Sequence, residues 1–457
     1  MHSQSWIKAA CLLASLYTAQ AENLSITNVN VIDTATGKVA EGQDITVQGN
    51  KITSISNGGG KQKRQNGGKT IDGTGMFAIP GLCDMHTHAY FTNDAQRFPA
   101  TDNIIFPLYI ANGVTCIRDL GSNLGAIKSG RDRIAAHQLE GPRIFFTGPM
   151  LDGPDSGFQT IFNLTDPKQV PGVIKQLKDA GASSVKTHLR MSEQVFDAIA
   201  TESKKAGLPF GGHVPDDTNA QHAVDMGMTY IEHMSRLDGQ ELSQKLISQM
   251  SQQQTQQCPT LKLSPFAERL EQTKTLFDAK IPFVAGTDSP AGGNLCPGRT
   301  MLDELVLINK AGLSTAQTLQ TATVNAAQVL GQKTMGTLAQ GNVADMVLLS
   351  ANPLQDMNNI RKIEAVVADG QLFDKQKIDG FQQLQAKLSQ CDEPPSADVG
   401  PDRRKGQGQQ QSGGQKSGKK ARGNNRNRAA GAKRNGGNNK SRNRREEIPV
   451  FHCCTLH

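Results

Sequence analysis

Two histidines one residue apart, His86 and His88, follow the apolar run "FAIPGLCDM". In an extended chain a period of two puts both imidazoles on one face. That pair can clasp one Zn²⁺, with Zn–N about 2.0–2.1 Å. An HxH also arises by chance, and a satisfied core histidine accounts for either ring alone. Later donors change the balance. His213 closes "LPFGGHV", His233 closes "MTYIEHM" and Asp288 closes "IPFVAGTDSP". Four of the ten histidines thus end short apolar segments. Singly, each is explained by a buried imidazole or a helix-capping aspartate. Gathered at one rim, the set favours metal binding. Lys186, in "GASSVKTHLR", is the odd member, because small and β-branched residues lead into it as if carrying a cation inward. A buried ammonium is costly unless paired or neutralised. An exposed strand end or a salt bridge would explain it more simply.

Candidates for holding substrate are weaker. His188 shares the face of Lys186 by period two and is read either as a substrate contact or as a loop histidine. Tyr90, Arg118, Arg190 and Arg236 fall near strand ends, where an arginine can receive a carboxylate in a bidentate pair or simply form a surface ion pair. No G-x-S-x-G elbow and no CxxC knuckle occurs.

These donors need a scaffold that brings strand ends together. Strand ends are predicted near Met85, Arg118, Thr147, Lys186, His213, His233, Thr260 and Asp288. Amphipathic stretches such as "PGVIKQLKDAG" and "SEQVFDAIATESKKAG" separate most of them. The last helix, "STAQTLQTATVNAAQVLG", opens with a capping-box spacing from Ser314 to Gln317. Such alternation predicts an α/β fold, a (β/α)8 TIM barrel over residues 81–336, with its site at the C-terminal mouth. Alternating segments in 22–80, with a Gly49-Asn50 turn, and in 337–375 predict a small composite β-sandwich from both ends of the chain. A short helix and linker fill 376–400, and 401–457 forms a basic low-complexity tail.

The ordered set resembles the amidohydrolase superfamily: "HTH" after the first strand, Lys186 on the fourth, His213 and His233 on the fifth and sixth, Asp288 on the eighth. The flanking "IPGLCDMHTH", "GNVADMVLL" and "ANPLQDMNNI" are similar to that superfamily's accessory sheet and junctions. Within it the chain is most similar to the binuclear branch with prolidase-like and ochratoxinase-like enzymes. The resemblance implies a carboxylated Lys186, a CO₂-derived carbamate bridging two divalent ions, most simply Zn²⁺, about 3.5–4 Å apart. It implies His86, His88 and Asp288 on one ion and His213 and His233 on the other. A bridging hydroxide would attack a carbonyl, with Asp288 as the catalytic proton carrier. Amide bonds of dipeptides or N-acyl amino acids are the expected substrates. The segment "TGPMLDGPDSGF" departs from the GGHG-like stretch of characterised dipeptidases. Alternatives are a lactone or ester hydrolase on the same ions, a one-metal enzyme with Lys186 in a salt bridge, and a polyanion-binding protein with an inactive barrel.

Composition sets the surroundings. "MHSQSWIKAACLLASLYTAQA" reads as a secretory signal peptide over 1–21, with Ala19-Gln20-Ala21 as the cleavage site. A secreted, extracellular glycoprotein is expected, with sequons at Asn23, Asn163 and Asn439 and no transmembrane segment. Net charge is +7, yet residues 401–445 hold fifteen Lys or Arg against one Asp, +14 locally, leaving −7 elsewhere. That segment should be disordered, with no more than weak, salt-sensitive binding to polyanion or nucleic acid. Cys83 and Cys116 read as core thiols, while Cys391, Cys453 and Cys454 are candidates for pairing. Homo-oligomerisation is left open.

Overall fold

The computed structural model describes residues 23–58, 68–237, 242–263, 267–291, 294–388 and 391. The leader, Asn439, Cys453, Cys454 and the basic segment lie outside the described residues.

Segments from both ends of that range meet in one eight-stranded sheet. Its order is Gln371–Phe373, Ile363–Ala368, Met346–Leu349, Phe77–Pro80, Leu24–Asp33, Lys38–Gln48 and Lys51–Asn57, with Lys69–Asp72 paired to Leu24–Asp33. Alternation along these strands puts Ile26, Val31, Ile45, Val47, Met346 and Leu348 into a core of their own. Gln48 pairs with Lys51, so Gly49-Asn50 forms a two-residue turn, and Gly49 takes the left-handed φ of 61° that the turn requires. Phe77–Pro80 runs straight on to Leu82–Thr87. Between them the Gly81 N–H donates to the Asp345 carbonyl at 2.9 Å, which fuses this sheet to the strand bearing His86.

The remaining strands pair in parallel, and helices separate most of them. They fall into two sheets, however, not the single closed ring expected of a (β/α)8 barrel. Leu82–Thr87, Val114–Asp119 and Arg143–Phe146 form one. The other runs Ile161–Asn163, Met150–Asp152, Val185–Thr187, Phe210–Gly212, Tyr230–Glu232 and Gln256–Cys258. One discontinuity lies in the expected third strand. Residues 143–146 pair with Val114–Asp119, whereas 150–152 turn to Val185–Thr187. Between them Gly148 takes φ 75° and Pro149 has no N–H to give, so regular pairing stops. On the opposite side, residues 283–289 bond to both sheets without forming a regular strand. Met85 N donates to Ala285 O and Val284 N to Gln257 O, each at 3.0 Å, and bridges join Thr87 to Ser289 and Gln257 to Phe283.

The helices form where the periodic stretches predict them. Glu193–Ala206 starts at Ser192, whose Oγ accepts from the Val195 N–H, and Val170–Ala180 stops at Gly181. The Ser314–Gln317 capping box is present. The helix it opens ends at Ala322, and Val324–Val329 follows after a break at Thr323. There the Thr323 hydroxyl donates to Leu319 O at 2.7 Å, a local bond that competes with the helical ladder.

One cysteine reading is corrected. Cys83 and Cys116 are not free core thiols; they are register partners on adjacent strands and form a disulfide. Cys391 pairs with Cys296, a residue the sequence did not single out. Cys258 is the free thiol among the described residues. No helix among them is long and apolar enough to cross a membrane.

Candidate functional site

Leu82–Thr87 carries His86 on its last turn of pleat, and His88 follows directly; both are buried. Asp288 reaches the same place from the segment after Val284. Its carboxylate oxygen Oδ1 lies 3.0 Å from His88 Nε2 and 3.4 Å from His86 Nε2. His233 Nε2 stands 4.0 Å from Asp288 Oδ2. Donor atoms of His86, His88 and Asp288 all lie within 4.8 Å of one another. His233 and Asp288 sit at left-handed φ values of 58° and 66°, so their backbones turn out of extension where the side chains turn in.

The rings form an arc. Centroid separations are 5.3 Å from His88 to His86, 4.5 Å to His233, 4.7 Å to His213 and 4.5 Å to His188. Fully buried Lys186 runs from Val185–Thr187 into this group. The glycines before His213 make room for it. A Cβ on Gly212 would meet Lys186 Cδ at 2.7 Å and Thr187 O at 2.4 Å, and Gly212 also has a left-handed φ of 130°.

Acceptors behind the rings set their orientation. His86 Nδ1 faces Glu232 Oε2 at 2.6 Å, His88 Nδ1 faces Gly121 O at 3.2 Å, and His233 Nδ1 faces Thr260 Oγ1 at 2.7 Å. Thr260 donates its own proton to Pro259 O at 2.8 Å, so it accepts from His233. In each neutral ring the Nδ1 proton is thereby committed, and the Nε2 lone pair faces the centre. Burial, then the Lys186 ammonium, pushes His86 well below its ordinary pKa, and the same two causes act on His213. Burial also opposes charge on His88, but the hydrogen bond and charge of Asp288 outweigh it and raise that pKa. For Asp288 burial favours the neutral acid, yet His86 and His88 hold its carboxyl below the usual range.

Other candidates lie elsewhere. Arg118 is 2% exposed and engaged internally: its Nε donates to Met85 O at 2.7 Å and its Nη2 to Glu232 Oε1 at 2.6 Å, while the guanidinium lies 4.6 Å above the Tyr230 ring. Tyr90 is buried, with its hydroxyl on Asp102 and Arg133. Arg236 pairs with Asp216. Arg190 is exposed, and its backbone N–H donates to Asp152. His188, by contrast, joins the arc.

Sequence reasoning missed Glu232, which bridges His86 and Arg118, and Asp152, which faces His188 Nδ1 at 2.7 Å. The signal was a carboxylate in an apolar strand, "TYIEHM", since such a group needs buried partners. Cys258 comes near His86 and Glu232. Burial holds its thiol well above the ordinary range, so it belongs to the core beneath the site.

Comparison with known proteins agrees with this architecture. An adenine deaminase of Rhizobium meliloti is 24% identical over 419 residues, covering 86% of this chain; the chain spans 64% of that enzyme's length. A Xaa-Pro dipeptidase structure with methionine bound in its active site superposes with a TM-score of 0.67 at 19% identity, over 77% of this chain and 100% of the other. Molinate hydrolase gives 0.69 at 18% identity, over 83% and 99%. The amidohydrolase family pattern matches residues 77–373, more than half of the chain and every donor described above, and the chain belongs to the amidohydrolase family.

Proposed function

We propose that the chain is a secreted, metal-dependent hydrolase of amide bonds in small molecules, dipeptides or N-acyl amino acids, built on a (β/α)8 barrel. The observation that carries this reading is the convergence of His86, His88 and Asp288 within 4.8 Å, with the outer nitrogens of both histidines facing acceptors. That donor set fits a divalent ion, because imidazole and carboxylate together suit Zn²⁺. His86 Nε2 is buried and makes no hydrogen bond among the described residues, as a ligand nitrogen would without its ion. The bonds of residues 283–289 to both parallel sheets support the barrel. Two buried disulfides support an oxidising compartment.

His86, His88 and Asp288 would hold one ion, and His213 and His233 a second, with Lys186 between them as a carbamate. An ammonium at position 186 depresses both His86 and His213. A carbamate there would reverse that sign and supply two oxygens sharing one negative charge. Bound divalent ions polarise a carbonyl and make water acidic enough to be a nucleophile near neutral pH. Asp288, whose carboxylate lies 3.0 Å from His88 Nε2, would take a proton from the attacking water and return it to the leaving amine. The same chemistry would open lactones and esters, and the departure at "TGPMLDGPDSGF" keeps that as the second reading.

The test is metal analysis of protein recovered from culture medium, followed by a screen of dipeptides, N-acyl amino acids and lactones. Chelation should abolish turnover and Zn²⁺ restore it. Lys186→Ala should lose at least ~100-fold in kcat, with partial rescue by a short carboxylic acid. Full activity in that variant would remove the carbamate, and a metal-free active enzyme would remove the whole reading.

A further inference from the structure

The arc of imidazoles continues into phenyl rings. His88 lies 4.7 Å, centroid to centroid, from Phe91, Phe91 lies 5.5 Å from Phe158, and Phe158 meets His188 edge to face at 5.3 Å. With the four imidazole separations given above, these contacts close a circuit of seven rings that runs through the donors. Exposure divides the circuit. Its five imidazoles are buried, whereas Phe91 and Phe158 are half-buried. The phenyl side is therefore the more open one.

Neither phenyl ring stands on a strand. Phe91 follows Leu82–Thr87 and its two histidines, and Phe158 lies in the loop between Met150–Asp152 and Ile161–Asn163. Gln159 ties the two loops together. Its side-chain carbonyl accepts from the Thr92 hydroxyl at 3.2 Å and the Asn93 N–H at 3.1 Å, and its main-chain carbonyl accepts from Asn93 Nδ2 at 2.6 Å. These cross-loop bonds hold the phenyl pair in place beside the donors.

A polar group adjoins the pair. His188 Nδ1 lies 2.7 Å from Asp152 Oδ2, and that carboxylate also accepts from the Ser156 hydroxyl and from the N–H groups of Gly153 and Arg190. The ring is anchored through Nδ1, while its Nε2 is buried with no hydrogen bond among the described residues. A buried polar atom in that state is uncommon and marks a place that a ligand can complete. Asp152 and Phe158 both belong to "TGPMLDGPDSGF", the stretch that departs from characterised dipeptidases.

We propose that Phe91 and Phe158, next to His188 Nε2, form an aromatic subsite at the mouth, and that the amides cleaved here carry an aromatic or equally bulky apolar group close to the scissile carbonyl. The proposal rests on the hydrolase reading above and names the substrate class of that same site. Phe91 packs directly on His88, a donor of the first ion, so the subsite begins one ring away from the metal. A substrate ring fits there by the geometry aromatic pairs prefer, with centroids about 4.5–7 Å apart, and a small acyl group leaves both phenyl rings uncovered.

The experiment reads binding, independently of turnover. Purified full-length protein loaded with Zn²⁺ is titrated in a calorimeter with acetohydroxamate and with phenylacetohydroxamate, which share a metal-binding head and differ by one phenyl ring. Wild type should bind the phenyl probe at least ~10-fold more tightly. Phe91→Ala and Phe158→Ala should bring the two affinities to within ~3-fold of each other, with metal content and acetohydroxamate affinity as in wild type. Phe158→Leu, checked by its thermal transition, should keep an intermediate preference and covers the case in which an alanine variant does not fold. Equal affinity of wild type for the two probes, or alanine variants that keep the whole preference, overturns the proposal. A wild type that retains no metal, or that when loaded binds neither probe, sinks the hydrolase reading and the subsite with it. A failure of the subsite alone is distinguishable, because acetohydroxamate still binds.

Discussion

At the scale of single residues, the orientation of the rings matters as much as their identity. His86 presents Nε2 to the centre because Glu232 takes its other nitrogen, and the Arg118 guanidinium donates to the second oxygen of that carboxylate. Breaking a buried, hydrogen-bonded charge pair strands the surviving partner. Glu232→Gln should therefore weaken metal retention ~10–100-fold, as loss of such partners does elsewhere. Chelator titration checks this. The effect should exceed that of Tyr90→Phe, since the Tyr90 hydroxyl bonds Asp102 and Arg133 instead of a ring of the arc.

At the scale of elements, each donor depends on a contact made by a segment remote from it. The turn behind His233 is an example. Glu304, on helix Arg299–Lys310, accepts from the N–H groups of Leu261 and Lys262 at 2.8 Å each, just after Thr260, the partner of His233. Burial pushes the Glu304 carboxyl from its ordinary 4.5 up to about 8, against those two hydrogen bonds. The folded chain therefore keeps a proton that the unfolded chain loses. This stabilisation is complete below pH 4.5 and disappears as pH rises through about 8. Thermal midpoints across that window should fall with pH in wild type, and Glu304→Gln should flatten the Glu304 part of the slope. An identical slope in the variant would mean that Glu304 is ionised throughout.

At the scale of the whole molecule, two covalent ties among the described residues reinforce the packing. Cys83–Cys116 joins the first two parallel strands below His86 and Arg118, and Cys296–Cys391 closes a 95-residue separation between the loop before Arg299–Lys310 and the far end of the described chain. By loop-closure entropy the longer tie stabilises by about 4–5 kcal/mol. Cys391→Ser should lower unfolding free energy by at most that amount in denaturant titration, while metal content at low temperature stays unchanged, because neither cysteine touches the arc. Loss of metal in that variant would show the C-terminal end to be part of the site.

What the amino-acid order determined alone was the inventory. HxH, the lysine strand, two later strand-end histidines and an aspartate are legible because strand periodicity and apolar runs are local properties. The helix cap at Ser314 and the Gly49-Asn50 turn are legible for the same reason. Tertiary structure alone decided how the donors are aimed. His86 meets Glu232 across 146 residues and Arg118 meets it across 114, and no local pattern announces either pair. Arg118 became an internal strut in place of a substrate ligand, and Cys83 a disulfide partner in place of a thiol, through the lateral register of neighbouring strands. The break at Gly148-Pro149 likewise acquires its meaning from which strands lie on either side. Side-chain direction and register are set by long-range packing, so they appear only once the chain has folded.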